Sequence, residues 1–126
     1  MIILNLQFSV MSKEIIISIS YFVFYQGSTD NPIGFVEYYK THHSKYLMKF
    51  PGLQELRIHE NLDWQDGQNV SKGEFLLIAE MCFPNIETME KAISSPERQR
   101  AREDFNNFPD FQGNIWHQAM ATKRPI

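Results

Sequence analysis

Between Ile15 and Tyr25 the chain reads IIISISYFVFY, apolar and β-branched or aromatic at odd and even positions alike. Such a run predicts a strand buried on both faces. Gln26 to Pro32 gathers Gly, Ser, Asp, Asn and Pro, the composition of a loop that can cap a following helix. From Ile33 to Phe50 the period becomes helical. At about 100° per residue, counting from Phe35, Tyr46 falls at about 20°, Tyr39 at about 40°, Phe50 at about 60°, Val36 at about 100° and Leu47 at about 120°. Glu37, Lys40, Thr41, Ser44 and Lys45 take the opposite arc, so the apolar stripe of an amphipathic helix rests on something apolar.

Pro51-Gly52 ends that helix, and Leu53 to Leu62 (LQELRIHENL) alternates as a half-buried strand does. Asp63 to Gly73 is polar and carries two glycines, which predicts a hairpin loop or a lid. Glu74 to Phe83 (EFLLIAEMCF) is again apolar on both faces, with Phe75, Leu77, Ala79, Met81 and Phe83 on one side and Leu76, Ile78 and Cys82 on the other. Only Glu80 interrupts it. Asn85 to Ser94 places Ile86, Met89 and Ile93 at helical spacing, and Ser95-Pro96 is an N-cap followed by proline at the first helical position. A further helical stretch runs to Asn107, and Phe111 to Thr122 closes the chain as a last strand.

The order is β-α-β-β-α-β, an α+β, ferredoxin-like antiparallel sheet with two helices on one face. Two of its strands are apolar on both faces, whereas the helices cover only one. An uncovered apolar face of that size marks an interface, and its simplest cover is the same face of a second copy. A homodimer closing into an α+β barrel is therefore expected; the alternative cover is the N-terminal segment. Residues 1–14 are read as an extension of uncertain structure, with Met11 a possible alternative start, and residues 15–126 as the domain.

With 126 residues, 43% of them apolar and 21% charged, a single core is the natural outcome. Ten phenylalanines make it aromatic. A net charge of −3 argues against a nucleic-acid partner, which calls for a basic field. Arg98, Arg100 and Arg102 read as a solvated helix face. The single cysteine, Cys82, has no intrachain disulfide partner and points to a reducing, cytoplasmic setting. The apolar opening lacks a basic n-region and a cleavage site and is too short to span a bilayer, so no membrane association is expected.

Tyr38-Tyr39-Lys40-Thr41-His42-His43, then Phe50-Pro51-Gly52-Leu53, Ala79-Glu80-Met81-Cys82-Phe83 and Ser94-Ser95-Pro96-Glu97 together resemble EthD-like proteins of the dimeric α+β-barrel superfamily. The resemblance spans Tyr21 to Ala119. It implies a dimeric barrel with a small cavity in each subunit. The family is named for an accessory protein of ether degradation, and similar proteins include cofactor-free decarboxylases and dehydratases of polyketide pathways. More distant barrels are lactone isomerases, monooxygenases and haem-binding enzymes. Where many relatives have proline two residues after the helix histidine, this chain has Lys45.

His43 is the foremost chemical candidate, because it falls at about 80° on the helix, inside the aromatic stripe. Burial there pushes an imidazole pKa down unless a carboxylate opposes it, and either outcome suits proton transfer near neutral pH. The plain alternative is a core histidine bonded to a backbone carbonyl. Glu80 is the second candidate, since a carboxylate within an apolar strand needs a partner; it would be His43, as an acid–base pair, or Arg57 or His59 on the neighbouring strand. Tyr25, Tyr39, Tyr46, Trp116 and His117 suit the wall of a ligand pocket, or simply the core, and His42 lies at the stripe's edge, at about 340°. Adjacent histidines on a helix diverge by about 100°, so His42 and His43 do not share a metal. No metal spacing occurs elsewhere, and a site without metal or cofactor is expected, although one axial histidine for haem is compatible with the pattern.

The expectation is a small hydrophobic molecule as ligand, with a lyase- or isomerase-type reaction on an aromatic, lactone or polyketide-like compound. The alternative is a non-catalytic accessory or ligand-sequestering dimer in a degradation pathway.

Overall fold

The computed structural model describes residues 16–125. The extension at 1–14, and its role as an alternative cover, lie outside the described residues. Strand β1 (Ile16–Ser28) leads into helix α1 (Pro32–Tyr38), which passes through a π turn (Tyr39–His43) into α2 (Ser44–Leu47). Strands β2 (Glu55–Glu60) and β3 (Phe75–Phe83) follow, then helices α3 (Ile86–Ile93) and α4 (Pro96–Asp104), a 3-10 turn (Phe105–Asn107) and β4 (Gln112–Lys123). The four strands form one antiparallel sheet in the order β2-β3-β1-β4. This is the predicted ferredoxin-like α+β arrangement, with its second helical limb divided in two at Ser94–Ser95.

Caps fix the helix starts. The Asn31 carboxamide accepts from the Gly34 amide at 3.0 Å, Asn85 accepts from Thr88 at 2.9 Å, and the Ser95 hydroxyl accepts from Arg98 at 3.3 Å. Each bond satisfies an amide that the first turn leaves without a partner. Gly27 and Gly113 face each other across β1 and β4 with φ of 148° and 141°. A Cβ on Gly27 would stand 2.1 Å from the Gln112 carbonyl oxygen, so only glycine lets the strands meet there.

Pairing fixes which strand residues share a face. Tyr21 opposes Met81, Val23 opposes Ala79, and Tyr25 opposes Leu77, and these point at the helices. Ser20, Phe22 and Phe24 oppose Cys82, Glu80 and Ile78 on the face without helices. The core therefore fills the space between helices and sheet. Phe35, wholly buried, meets Tyr25 edge-on at 5.5 Å and Phe108 at 5.1 Å. The open face keeps Trp116 53% and Met120 51% exposed.

The π turn changes the phase of the first helix. Phe35, Tyr39, His43 and Leu47 recur every four residues, a series that drifts by about 40° per step in a regular α-helix. The wider turn removes much of that drift, and all four are buried on one side. Tyr46, expected within the stripe, is turned back to its edge and is only half buried. The Thr41 hydroxyl donates to the Glu37 carbonyl at 2.7 Å and Ser44 to that of Lys40 at 2.5 Å, adding bonds where the ladder changes register. Lys45, where the resemblance pointed to proline, is exposed in α2. The 61–74 connection is an exposed hairpin loop in which Lys72 lies 4.7 Å over the Trp64 ring. It contributes nothing to the walls of the cavity described below. Among the described residues no helix is long and apolar enough to cross a membrane.

Candidate functional site

A cavity of about 460 Å³ opens between the helices and the sheet. Tyr21, Val23 and Tyr25 reach it from β1, Tyr39, His43 and Leu47 from the first helix, Arg98, Ala101 and Arg102 from α4, and Ile115 and His117 from β4. That size and a mostly apolar wall suit a small organic molecule. Burial pushes the Tyr25 phenol up to about 12 and that of Tyr39 well above its ordinary value. Both stay protonated and present flat walls with neutral hydroxyls.

His43, 5% exposed, stands 4.8 Å from the rings of Tyr39 and Phe108. Its Nδ1 lies 2.9 Å from Asp104 Oδ2. Asp104, at the end of α4 and 3% exposed, also accepts from the Tyr38 hydroxyl at 2.7 Å and from Asn107 Nδ2 at 3.1 Å, both on Oδ1. Burial opposes its ionisation, but the bonds from His43, Asn107 and Tyr38 prevail and hold the carboxyl below its ordinary value. A carboxylate only accepts, so Nδ1 carries the proton and Nε2 the lone pair. Burial also lowers the His43 pKa, with Asp104 opposing, which keeps the ring neutral. Among the described residues Nε2 has no hydrogen-bond partner, yet no buried side-chain nitrogen or oxygen is left unsatisfied, so Nε2 is open to solvent. His43 is thus a neutral base with one nitrogen pinned and the other free.

A second polar group lines the cavity from β1, β4 and α4. Arg98 Nη2 donates to Tyr21 Oη at 3.0 Å, and Tyr21 Oη also shares a hydrogen bond with His117 Nδ1 at 2.6 Å. Burial, and then the positive charges of Arg98 and Arg102, lower the His117 pKa and keep the ring neutral. Burial raises that of Tyr21 against the same arginines.

Of the residues singled out from the sequence, His43, Tyr25, Tyr39 and His117 meet at the cavity. Glu80 does not join His43. It is on the open face, 8% exposed, where Ser20 Oγ donates to Oε2 at 2.8 Å and His59 Nε2 approaches Oε1 at 3.1 Å, with Arg57 3.7 Å away. Burial works against its charge, and these partners outweigh it, so its carboxyl lies below its ordinary value. Trp116 also stands on the open face, with Nε1 donating to Gln26 Oε1 at 2.8 Å. The reason is one of parity: alternate residues of a two-faced strand look alike in sequence, and only packing tells which side the helices cover. Tyr46 packs 6.5 Å from the His43 ring without lining the cavity. His42 is exposed, stacked on Tyr38 at 4.8 Å. The expected solvated arginine face holds for Arg100, paired with Glu97 at 3.2 Å, and for Arg102, which is exposed while also lining the cavity, but not for half-buried Arg98.

Sequence reasoning missed Asp104, Tyr21, Arg98 and Arg102. The spacing of Arg98, Ala101 and Arg102 on one helix face was the available signal for the arginines. Nothing marked Asp104 among the charges of its helix. Among the described residues no three His, Cys, Asp or Glu side chains converge as metal ligands.

The EthD domain model matches residues 32–112, more than half of the sequence. The chain belongs to the EthD family. Its fold is similar to that of an EthD-family protein from Bacillus halodurans, at a TM-score of 0.64 and 19% identity, covering 82% of this chain and 97% of the other. A dimeric ferredoxin-like protein from Bacteroides fragilis gives 0.56 at 10% identity, covering 82% and 95%. A Streptomyces coelicolor monooxygenase in complex with nanaomycin D gives 0.58 at 12%, covering 88% and 91%. At these identities the likeness concerns the EthD fold and not the chemistry. No curated protein matches the chain.

Proposed function

We propose that this EthD protein binds a small, largely apolar molecule between its helices and its sheet, and that His43 acts there as general base in a lyase- or isomerase-type proton transfer. The observation that carries this reading is the Asp104–His43 pair at the cavity wall, which holds Nδ1 at 2.9 Å and leaves Nε2 open. A base needs the unprotonated form at working pH, and a neutral His43 supplies it. Tyr25 and Tyr39, packed edge-on at 5.5 Å, together give the cavity wall an aromatic surface. The step draws only on the chain's own residues.

The ligand class is suggested further by the S. coelicolor relative, whose bound nanaomycin D is an organic molecule accommodated on the same fold. The protein acts as a homodimer in this reading. Exposed Trp116 and Met120 continue the half-buried Phe22, Phe24 and Ile78 into one apolar face, and the B. fragilis relative is dimeric. A full chain that sediments as a monomer at high concentration overturns that part.

The catalytic part is tested with 2-tetralone, a flat bicyclic ketone with an acidic C–H beside its carbonyl. Its exchange in deuterium oxide is followed by NMR with the full chain. The wild type is expected to accelerate exchange, and His43→Gln to lose that acceleration by about 10²- to 10⁴-fold. Binding without acceleration would sink the catalytic reading and leave sequestration of a hydrophobic metabolite in its place.

A further inference from the structure

Among the described residues the only permanent charges on the cavity wall are two guanidinium groups, Arg98 and Arg102, and no Asp or Glu lines it. The nearby acids are engaged elsewhere. Glu97 pairs with Arg100, Glu103 accepts from Gln99, and Asp104 is held by His43, Tyr38 and Asn107. Among the described residues neither Arg98 nor Arg102 has a carboxylate within ion-pair distance. Arg98, half-buried beside apolar walls, loses part of its hydration and needs a counter-charge in return.

Arg98 is also fixed in place. Its Nη1 donates to the Ile93 carbonyl at 3.0 Å, its Nη2 to Tyr21 Oη at 3.0 Å, and its guanidinium carbon lies 6.0 Å from the Tyr21 ring centre. Those bonds use two of the five N–H donors that a guanidinium carries. The remaining donors form part of a planar fork that fits the two oxygens of a carboxylate. Arg102, one helical turn on and exposed, makes no side-chain hydrogen bond among the described residues and adds a second charge beside the first.

We propose that the cavity selects an organic carboxylate, with the acid group seated on Arg98 and Arg102 and the flat apolar body lying toward Tyr25, Tyr39 and His43. This rests on the reading of the cavity as a small-molecule site and adds the class of molecule. Tyr21 contributes by positioning: bonded to His117 and Arg98 together, it ties the fork to the sheet.

The test is calorimetric titration of the full chain with 2-naphthoate and with 2-naphthamide, which have nearly the same shape and differ in charge. The naphthoate is expected to bind at least about tenfold more tightly, and the gap to shrink as salt is raised. Arg102→Gln, which loses no internal bond, and Arg98→Gln are each expected to reduce the gap, with folding checked by circular dichroism. Equal affinity for the two probes, or a gap that persists in both variants, overturns the carboxylate proposal while leaving a small-molecule site intact. Failure of both probes to bind overturns the site itself, and the proposal with it.

Discussion

Each side of the sheet holds one buried carboxylate, and the two have opposite consequences. On the open face Glu80 is closed off, with Ser20 on one oxygen and His59 and Arg57 at the other. On the helix side Asp104 is equally well satisfied, yet one of its partners, His43, passes the polarity on to a cavity through an unbonded nitrogen. Burial of a charge therefore does not by itself mark a site. What marks it is a hydrogen-bond chain that ends on an open group inside a space a ligand can fill.

Asp104→Asn breaks the comparison most severely. The amide can donate as well as accept, so the Nδ1 proton of His43 is no longer dictated. Ketone exchange is expected to fall by about 10²- to 10⁴-fold, and nitrogen-15 spectra to show His43 with the other tautomer populated. An unchanged tautomer with unchanged exchange would reduce Asp104 to a structural contact. Glu80→Gln comes next. Loss of the charge at a buried, hydrogen-bonded position should cost about 1–3 kcal/mol in urea unfolding, while exchange proceeds at the wild-type rate. A loss of exchange there would erase the distinction between the faces.

The smallest effect is on pH dependence, and its sign separates the two sides. His43 and His117 both have pKa values below the ordinary 6.5, so the unfolded chain takes up protons first as pH falls. Their contribution is full above 6.5 and fades as pH drops through that value toward the lower folded pKa values. Asp104 and Glu80 lie below 3.8 and 4.5, so their contribution is complete above those values and is lost only as pH falls through the still lower folded ones. A urea midpoint that declines first near neutrality, and less so in His43→Gln, assigns that first loss to the cavity side. A midpoint flat down to the carboxylate range contradicts the lowered histidines.

Much of this frame was legible in the sequence. Alternation and turn composition located the four strands, the spacing of Ile86, Met89 and Ile93 located one helix, and Ser95 announced the next through capping chemistry. His43 stood out because an imidazole interrupted an aromatic stripe. The rest was hidden for physical reasons. Phe22 and Tyr21 look alike as members of an apolar run, although one faces the open side and the other the cavity. Tyr46 was misplaced because the wheel assumed a uniform turn, whereas Tyr39–His43 winds more widely. Arg98 read as solvent-facing because charged helices usually are, and that exposed Arg102 also borders a cavity was hidden because a cavity under such a helix leaves no mark on its composition.

The π turn also gives the first helix one place that tolerates a change of length. It holds a surplus residue, so excising one position between Tyr39 and His43 would regularise the backbone there. The eleven regular steps then left between Phe35 and Leu47 turn through about 1100°, roughly 20° past whole turns, so Leu47 and Phe50 would keep the hydrophobic floor they now occupy. The same excision in a regular part of the helix would swing everything downstream by about 100°, so the irregular stretch is where an engineer seeking a shorter variant should cut.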